Sequence, residues 1–152
     1  MERERTLIII KPDAVQRGLT GEILRRFEAR GLRIVGMKFM QVSRELAEKH
    51  YAIHRERPFF NDLVNYIISS PVVVIALDGL NAVKAARTTI GATNTADSAA
   101  GTIRGDFSSS RQMNLVHASD SVENAAMELA LWFDASELVD YTRSVDAWIV
   151  EG

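Results

Sequence analysis

The chain has 152 residues, 47% of them hydrophobic and 25% charged, which is enough apolar material for one packed domain and too much for a disordered polymer. With 18 Lys and Arg against 20 Asp and Glu the formal charge is -2, so no bulk basic field draws it to nucleic acid or to an anionic membrane. Cysteine is missing, which removes disulfides, thiolate metal sites and cysteine nucleophiles together and fits a reducing, cytoplasmic setting.

The charged opening Met1-Glu2-Arg3-Glu4-Arg5 reads as neither a signal nor a transit peptide, and the longest apolar run, Val72 to Leu77, is too short to span a bilayer. Thr6 to Ile10 is a β-branched, apolar run closed by Lys11-Pro12-Asp13, and predicts a strand buried on both faces with a loop at its carboxyl end. Thr20 is placed to cap a helix through Arg30, with Ile23, Leu24 and Phe27 as its stripe and Gly31 as its stop. Leu32 to Val42 predicts a second strand, interrupted at Gly36, after which Ser43 caps a helix running toward His54. Pro58 suits the first turn of another helix, with Phe59, Phe60, Leu63, Val64, Ile67 and Ile68 as its apolar face. Pro71 to Leu77 is the clearest strand, and Leu80, Val83, Ala86 and Ile90 mark the helix after it. Thr88 to Arg111 has almost nothing to bury and reads as a long loop, a feature that in a compact domain is usually functional. Asn114 to His117 predicts a short strand, and Ser121 caps a last helix with Val122, Ala125, Ala126, Leu129, Ala130 and Phe133 on one face. This order predicts an α+β fold: a ferredoxin-like split β-α-β sandwich, its antiparallel four-stranded sheet covered by helices on one side, in a single domain over residues 1–152.

His50 and His54 lie one helical turn apart, but Arg55, Glu56 and Arg57 beside them suggest an exposed helix end and solvated histidines. His117 differs. It closes a predicted strand just before a helix N-terminus, where a neutral imidazole can act as nucleophile or base and an anion formed on it meets free N–H groups. Lys11 closes the first buried strand, Arg87 falls on the apolar side of its helix, and Arg104 lies in the long polar loop. A guanidinium directed inward needs either a protein carboxylate or a ligand phosphate. Each cation alone is explained by a salt bridge, whereas together with His117 they are better explained by a phosphate site. The chain has no Gly-x-x-x-x-Gly-Lys-Ser/Thr cradle, so such a site would work through side-chain cations and a histidine.

Asn114-Leu-Val-His117-Ala-Ser-Asp120-Ser resembles the signature around the phosphorylated histidine of nucleoside diphosphate kinases. Lys11-Pro-Asp-Ala-Val-Gln-Arg-Gly18, His50-Tyr51, Arg57-Pro-Phe59-Phe60, Gly101-Thr-Ile-Arg104-Gly-Asp106-Phe107 and Glu137-Leu-Val-Asp-Tyr141 match further blocks of that family in order. The resemblance implies a ping-pong enzyme in which a nucleoside triphosphate, typically ATP, gives its γ-phosphoryl to His117 and a nucleoside diphosphate removes it, maintaining the (d)NTP pools. By the same resemblance Lys11 binds the moving phosphoryl and Tyr51 orients Lys11 and the histidine. Arg87, Thr93 and Arg104 hold the phosphate chain, and Asn114 contacts the ribose. Phe59 stacks on the base, although core packing also explains it. Glu128 and Ser119 fix the imidazole, although Glu128 also reads as a solvated carboxylate. Mg2+ would arrive on the nucleotide rather than in a protein cage. The resemblance further implies a homo-oligomer, a hexamer sooner than a tetramer, with a C-terminal extension at about 134–152. Thr95 and Ala100 stand where the family often has proline, which should loosen a loop tied to subunit contacts. Arg111 stands where an aliphatic residue commonly covers the base. An RNA-recognition domain would need aromatics on the central strands and a basic face, and neither is present. An inactive relative would not need all of His117, Lys11, Arg87, Arg104 and Asn114.

Overall fold

Leu7, Ile8, Ile9 and Ile10 are completely buried, as an unbroken apolar run requires of a central strand. They end β1 (Arg3–Ile10) in a computed structural model that describes residues 3–151. Met1, Glu2 and Gly152, the ends of the expected domain and extension, lie outside the described residues. β1 pairs antiparallel with β3 (Val72–Leu80) along its length and with β4 (Val116–Ala118) at its carboxyl end. β2 (Arg33–Met40) flanks β3, so the sheet runs β2-β3-β1-β4. The register shifts between Ile34 and Gly36, where the strand pattern in the sequence breaks. A Cβ on Gly36 would lie 2.8 Å from Leu138 Cδ2, so glycine there lets the C-terminal segment cross the strand closely.

Seven helices surround the sheet among the described residues: α1 (Pro12–Gln16), α2 (Thr20–Ala29), α3 (Arg44–His50), α4 (Phe60–Ile67), α5 (Ala82–Ile90), α6 (Ile103–Phe107) and α7 (Val122–Trp132). Strand side chains alternate in direction. Ile8, Ile10, Val73 and Ile75 pack with Phe27 of α2 and Ile90 of α5, while Leu7, Ile9, Val72 and Val74 pack with Val64 of α4 and Leu129 and Trp132 of α7. Helices therefore cover both faces of the sheet, not the single side expected. The sequence contains the reason: a run without polar alternation has no face to give to water. Because His117 pairs with Ile9, its side chain stands on the α3, α4 and α7 face.

Several boundaries differ from expectation. Thr20 is the first residue of α2 rather than its cap, and the capping position, Leu19, makes no side-chain bond. Leu80 ends β3 instead of entering α5, which starts after Asn81 in a left-handed conformation. Pro58 lies before α4. The segment 88–111 is not structureless: it holds the end of α5, a 3-10 turn at Thr95–Asp97 and α6. On α7 the buried stripe is Ala125, Leu129 and Trp132, while Val122, Ala126 and Ala130 face outward. Ser43 and Ser121 do cap their helices, accepting the N–H of Leu46 at 3.1 Å and of Asn124 at 3.0 Å.

Candidate active site

The site forms where β1 and β4 end side by side. The Lys11 N–H donates to the Leu115 carbonyl at 2.9 Å, and Leu115 turns the chain with φ +76°, a region that a branched side chain rarely enters. Asp13 holds this corner. One of its carboxylate oxygens accepts the Leu115 N–H at 3.1 Å and the other accepts the Tyr66 hydroxyl. The turn brings the buried Asn114 over Lys11, whose Nζ donates to Asn114 Oδ1 at 2.9 Å.

His117 Nε2 lies 3.0 Å from Glu128 Oε1, and the Ser119 hydroxyl donates to the same oxygen at 2.6 Å. Burial pushes the Glu128 carboxyl up, but the hydrogen bond and charge of His117 and the Ser119 hydroxyl outweigh it and hold the group below the usual carboxylate range. An ionised carboxylate only accepts, so in the neutral ring the proton sits on Nε2 and the lone pair on Nδ1, which makes no hydrogen bond among the described residues.

Three cations bond to the segment 114–118 that carries this imidazole. Arg87 donates to the Ala118 carbonyl at 3.0 Å. Arg104 donates to the carbonyls of Asn114 at 3.2 Å, Gly91 at 3.2 Å and Val116 at 2.7 Å. Among the described residues none of Lys11, Arg87 and Arg104 forms an ion pair with a carboxylate. That removes the salt-bridge alternative for each and leaves positive charge without a counter-ion. Burial first, and Arg104 second, push Lys11 down to about 8, and burial with Arg87 pushes Arg104 down to about 10. Local bonds hold the loop that carries Arg104: Thr102 caps α6 by accepting the Gly105 N–H at 2.9 Å, and Asp106 accepts from the Gly101 N–H at 2.8 Å and from Arg26 at 2.7 Å.

A cleft of about 490 Å³ opens beside this cluster, lined by His50, Tyr51, Arg87, His117, Asn124 and Glu128 among others. Phe59 is 44% exposed at the start of α4, which favours a binding surface over a core role, and its ring lies 5.4 Å from that of His54. Tyr51 is buried against His50, its hydroxyl raised in pKa by burial and by Glu128. Thr93 is exposed between Gly91 and the Thr95–Asp97 turn and has no hydrogen bond to the site among the described residues. His50, His117 and Glu128 have nitrogen and oxygen atoms within 4.8 Å of one another. Within this group Glu128 Oε1 is engaged by His117 and Ser119, and His50 Nδ1 by the Trp132 indole. Two imidazoles also suit Mg2+ poorly, since that ion prefers an all-oxygen shell.

The profile of nucleoside diphosphate kinases matches residues 4–138. The chain belongs to the nucleoside diphosphate kinase family. It is 58% identical to the nucleoside diphosphate kinase of Roseiflexus castenholzii over 148 residues, covering 97% of this chain and 99% of that one. It is 55% identical to human nucleoside diphosphate kinase A, with 97% of each chain covered. In three dimensions it superposes on the halophilic nucleoside diphosphate kinase of Halobacterium salinarum, solved in complex with CDP, with a TM-score of 0.95 at 46% identity over 99% of this chain and all of that one. It also superposes on the family protein of Babesia bovis, with a TM-score of 0.94 at 48% identity over 97% of this chain and 99% of that one.

Within this kinase framework one expectation is corrected: His50 is not a solvated surface residue. It is packed edge-on to His117, and His54 is half-buried beside Phe59. Asp13, Tyr66 and Trp132 bond to residues of the site and were not singled out from the sequence.

Proposed function

We propose that the chain is a nucleoside diphosphate kinase that works by a ping-pong route through His117. The Nδ1 lone pair attacks the γ-phosphorus of a nucleoside triphosphate, the bond from that phosphorus to the bridging oxygen breaks, and the diphosphate leaves with the electron pair. A second nucleoside diphosphate then attacks the phosphorylated nitrogen's phosphorus and restores the free imidazole. The observation that carries this reading is the His117 ring itself, anchored through Nε2–H to Glu128, on a segment bonded by three cations that form no ion pair with a carboxylate among the described residues.

Transfer through a loose transition state asks mainly for alignment and for positive charge on the equatorial oxygens. Lys11 meets the phosphoryl group in flight, and Arg87, Arg104 and Thr93 hold the phosphate chain. Asn114 contacts the ribose while it steadies Lys11. Glu128 and Ser119 keep the ring still, Tyr51 walls it, and Phe59 stacks on the base, a contact that discriminates bases weakly. Mg2+ enters as part of the nucleotide substrate and neutralises phosphate charge there.

The chain acts as one domain over 1–152, with an extension at about 134–152; the packing of Tyr141 onto Ile34 and of Arg143 onto Leu32 supports this. It works as a homo-oligomer, a hexamer sooner than a tetramer. Support comes from Met37 and Phe39, 53% and 66% exposed on the edge strand β2. Sedimentation at several concentrations decides between these sizes. A cytoplasmic location rests on the cysteine-free composition. Among the described residues no helix is long and apolar enough to cross a membrane.

The test of the chemistry is incubation with γ-labelled ATP and Mg2+, followed by removal of nucleotide. Label that is acid-labile, base-stable and released to GDP is expected. Protein without label, or label that survives acid, overturns the reading.

A further inference from the structure

His50 ends α3 with its ring 4.8 Å from that of His117, the planes at 84°. The Tyr51 ring lies 4.8 Å away and that of Trp132 5.4 Å away, and the Trp132 indole N–H donates to His50 Nδ1 at 3.1 Å. Trp132 is 2% exposed, so its N–H has no water to turn to and needs this acceptor. A neutral imidazole that accepts at Nδ1 carries its proton on Nε2.

We propose that His50 is a positioning residue for phosphoryl transfer: Trp132 locks it as the uncharged Nε2–H tautomer, and its ring braces His117 so that His117 Nδ1 stays presented to the cleft. This deepens, and rests on, the role of His117 as carrier. His50 gains charge only by taking a proton at Nδ1, the atom that Trp132 occupies. A charged His50 would compete with His117 for Glu128, since the three groups lie within 4.8 Å. The carboxylate would swing from His117 and the nucleophile would lose its anchor. The groups that face His50 are His117 on β4, Glu128 on α7, Lys11 after β1 and His54 in the turn after α3. Burial foremost, then His117, push its pKa down to about 3, with Lys11 and His54 adding to the fall and Glu128 alone opposing it.

The test combines 15N-edited NMR of the histidine rings with single-turnover label uptake between pH 5 and 8, on the whole protein and on Trp132→Phe. In the parent, His50 should show the Nε2–H tautomer without titrating. In Trp132→Phe its pKa should rise, because the indole bond that favours the neutral ring is lost, while burial and His117 still hold it below the ordinary value. Uptake by that variant, relative to its own rate at pH 8, should then fall at a higher pH than the parent's does, as the charged fraction of His50 grows on acidification. Adding His50→Gln, which cannot take a charge, should restore the parent's pH shape. Damage to packing alone would lower every rate alike and leave the shape unchanged.

The proposal is overturned by an Nδ1–H tautomer of His50 in the parent, by its titration above pH 6, or by a Trp132→Phe profile that superimposes on the parent's. Should Trp132→Phe not fold, the tautomer and titration of the parent decide alone. Label uptake with an unlocked His50 sinks this proposal only; a parent that takes up no label sinks the carrier role and this proposal together.

Discussion

Replacing Lys11 with methionine should make the nucleotide-free protein more stable while removing most of its chemistry. Lys11 is 9% exposed, and its ammonium is pushed from 10.5 down to about 8, by burial first and by Arg104 second, with Asp13 pulling the other way. A fall of that size represents roughly 3 kcal/mol of folding free energy forfeited near neutral pH. Methionine keeps the length of the side chain without the charge. It also deprives Asn114 Oδ1 of its 2.9 Å donor, a loss of about 1 kcal/mol. The net gain is about 2 kcal/mol, or about 4–8 °C in melting temperature for a chain of this size. Its pH dependence is fixed in sign. Between about pH 8 and 10.5 the folded parent binds fewer protons at Lys11 than the unfolded chain, so the parent grows more stable as pH rises through that window. The advantage of Lys11→Met is therefore full at pH 7 and mostly gone by about pH 10. Thermal unfolding at matched protein concentration and both pH values measures this, and rapid-quench label uptake should fall by about two to three decades. A variant less stable than the parent at pH 7, or an advantage that persists unchanged at the higher pH, would refute the electrostatic reasoning.

Phe59→Ala should raise the KM for every nucleotide by about 5- to 150-fold, the worth of about 1–3 kcal/mol of base stacking, with little change in kcat. Steady-state kinetics with purine and pyrimidine substrates checks this, and an unchanged KM would return Phe59 to a packing role. Gly105→Ala would drive a Cβ into the Ala99 carbonyl and to 2.8 Å from Thr102 Oγ1. It should lower stability by about 2 kcal/mol or more and weaken phosphate binding, read by thermal unfolding and by nucleotide titration. Arg111→Val should leave turnover within a fewfold and shift base preference slightly; a loss as deep as that of His117→Ala would place Arg111 among the catalytic groups.

The sheet was legible because β-branched runs such as Ile8-Ile9-Ile10 and Val72-Val73-Val74 leave no other buried form open to them. His117, Lys11, Arg87 and Arg104 were legible because charge at the end of a buried strand or on an apolar helix face needs a reason. The Asp13–Tyr66 pair was not, since 53 residues separate its members and only the tertiary fold joins them. His50 was misjudged because Arg55, Glu56 and Arg57 made its helix end look wet, while the indole that covers it lies 82 residues away. The segment 88–111 resisted reading for another reason. Its turns are held by side chains bonding nearby backbone, such as Thr102 to the Ala99 carbonyl at 2.7 Å and Ser98 to the Ala92 carbonyl at 2.8 Å, and hydrophobic periodicity carries no trace of such bonds. Thr95, where the family often has proline, bonds Ser108 at 3.1 Å and donates to the Ser110 carbonyl at 3.0 Å.

Arg104 is repelled by Arg87 and in turn repels Lys11, with Asp13 offsetting only part of the strain at Lys11. A phosphoryl group parked on His117 brings about two negative charges into their midst. Between encounters with nucleotide, the loaded protein is then the more relaxed of the two forms.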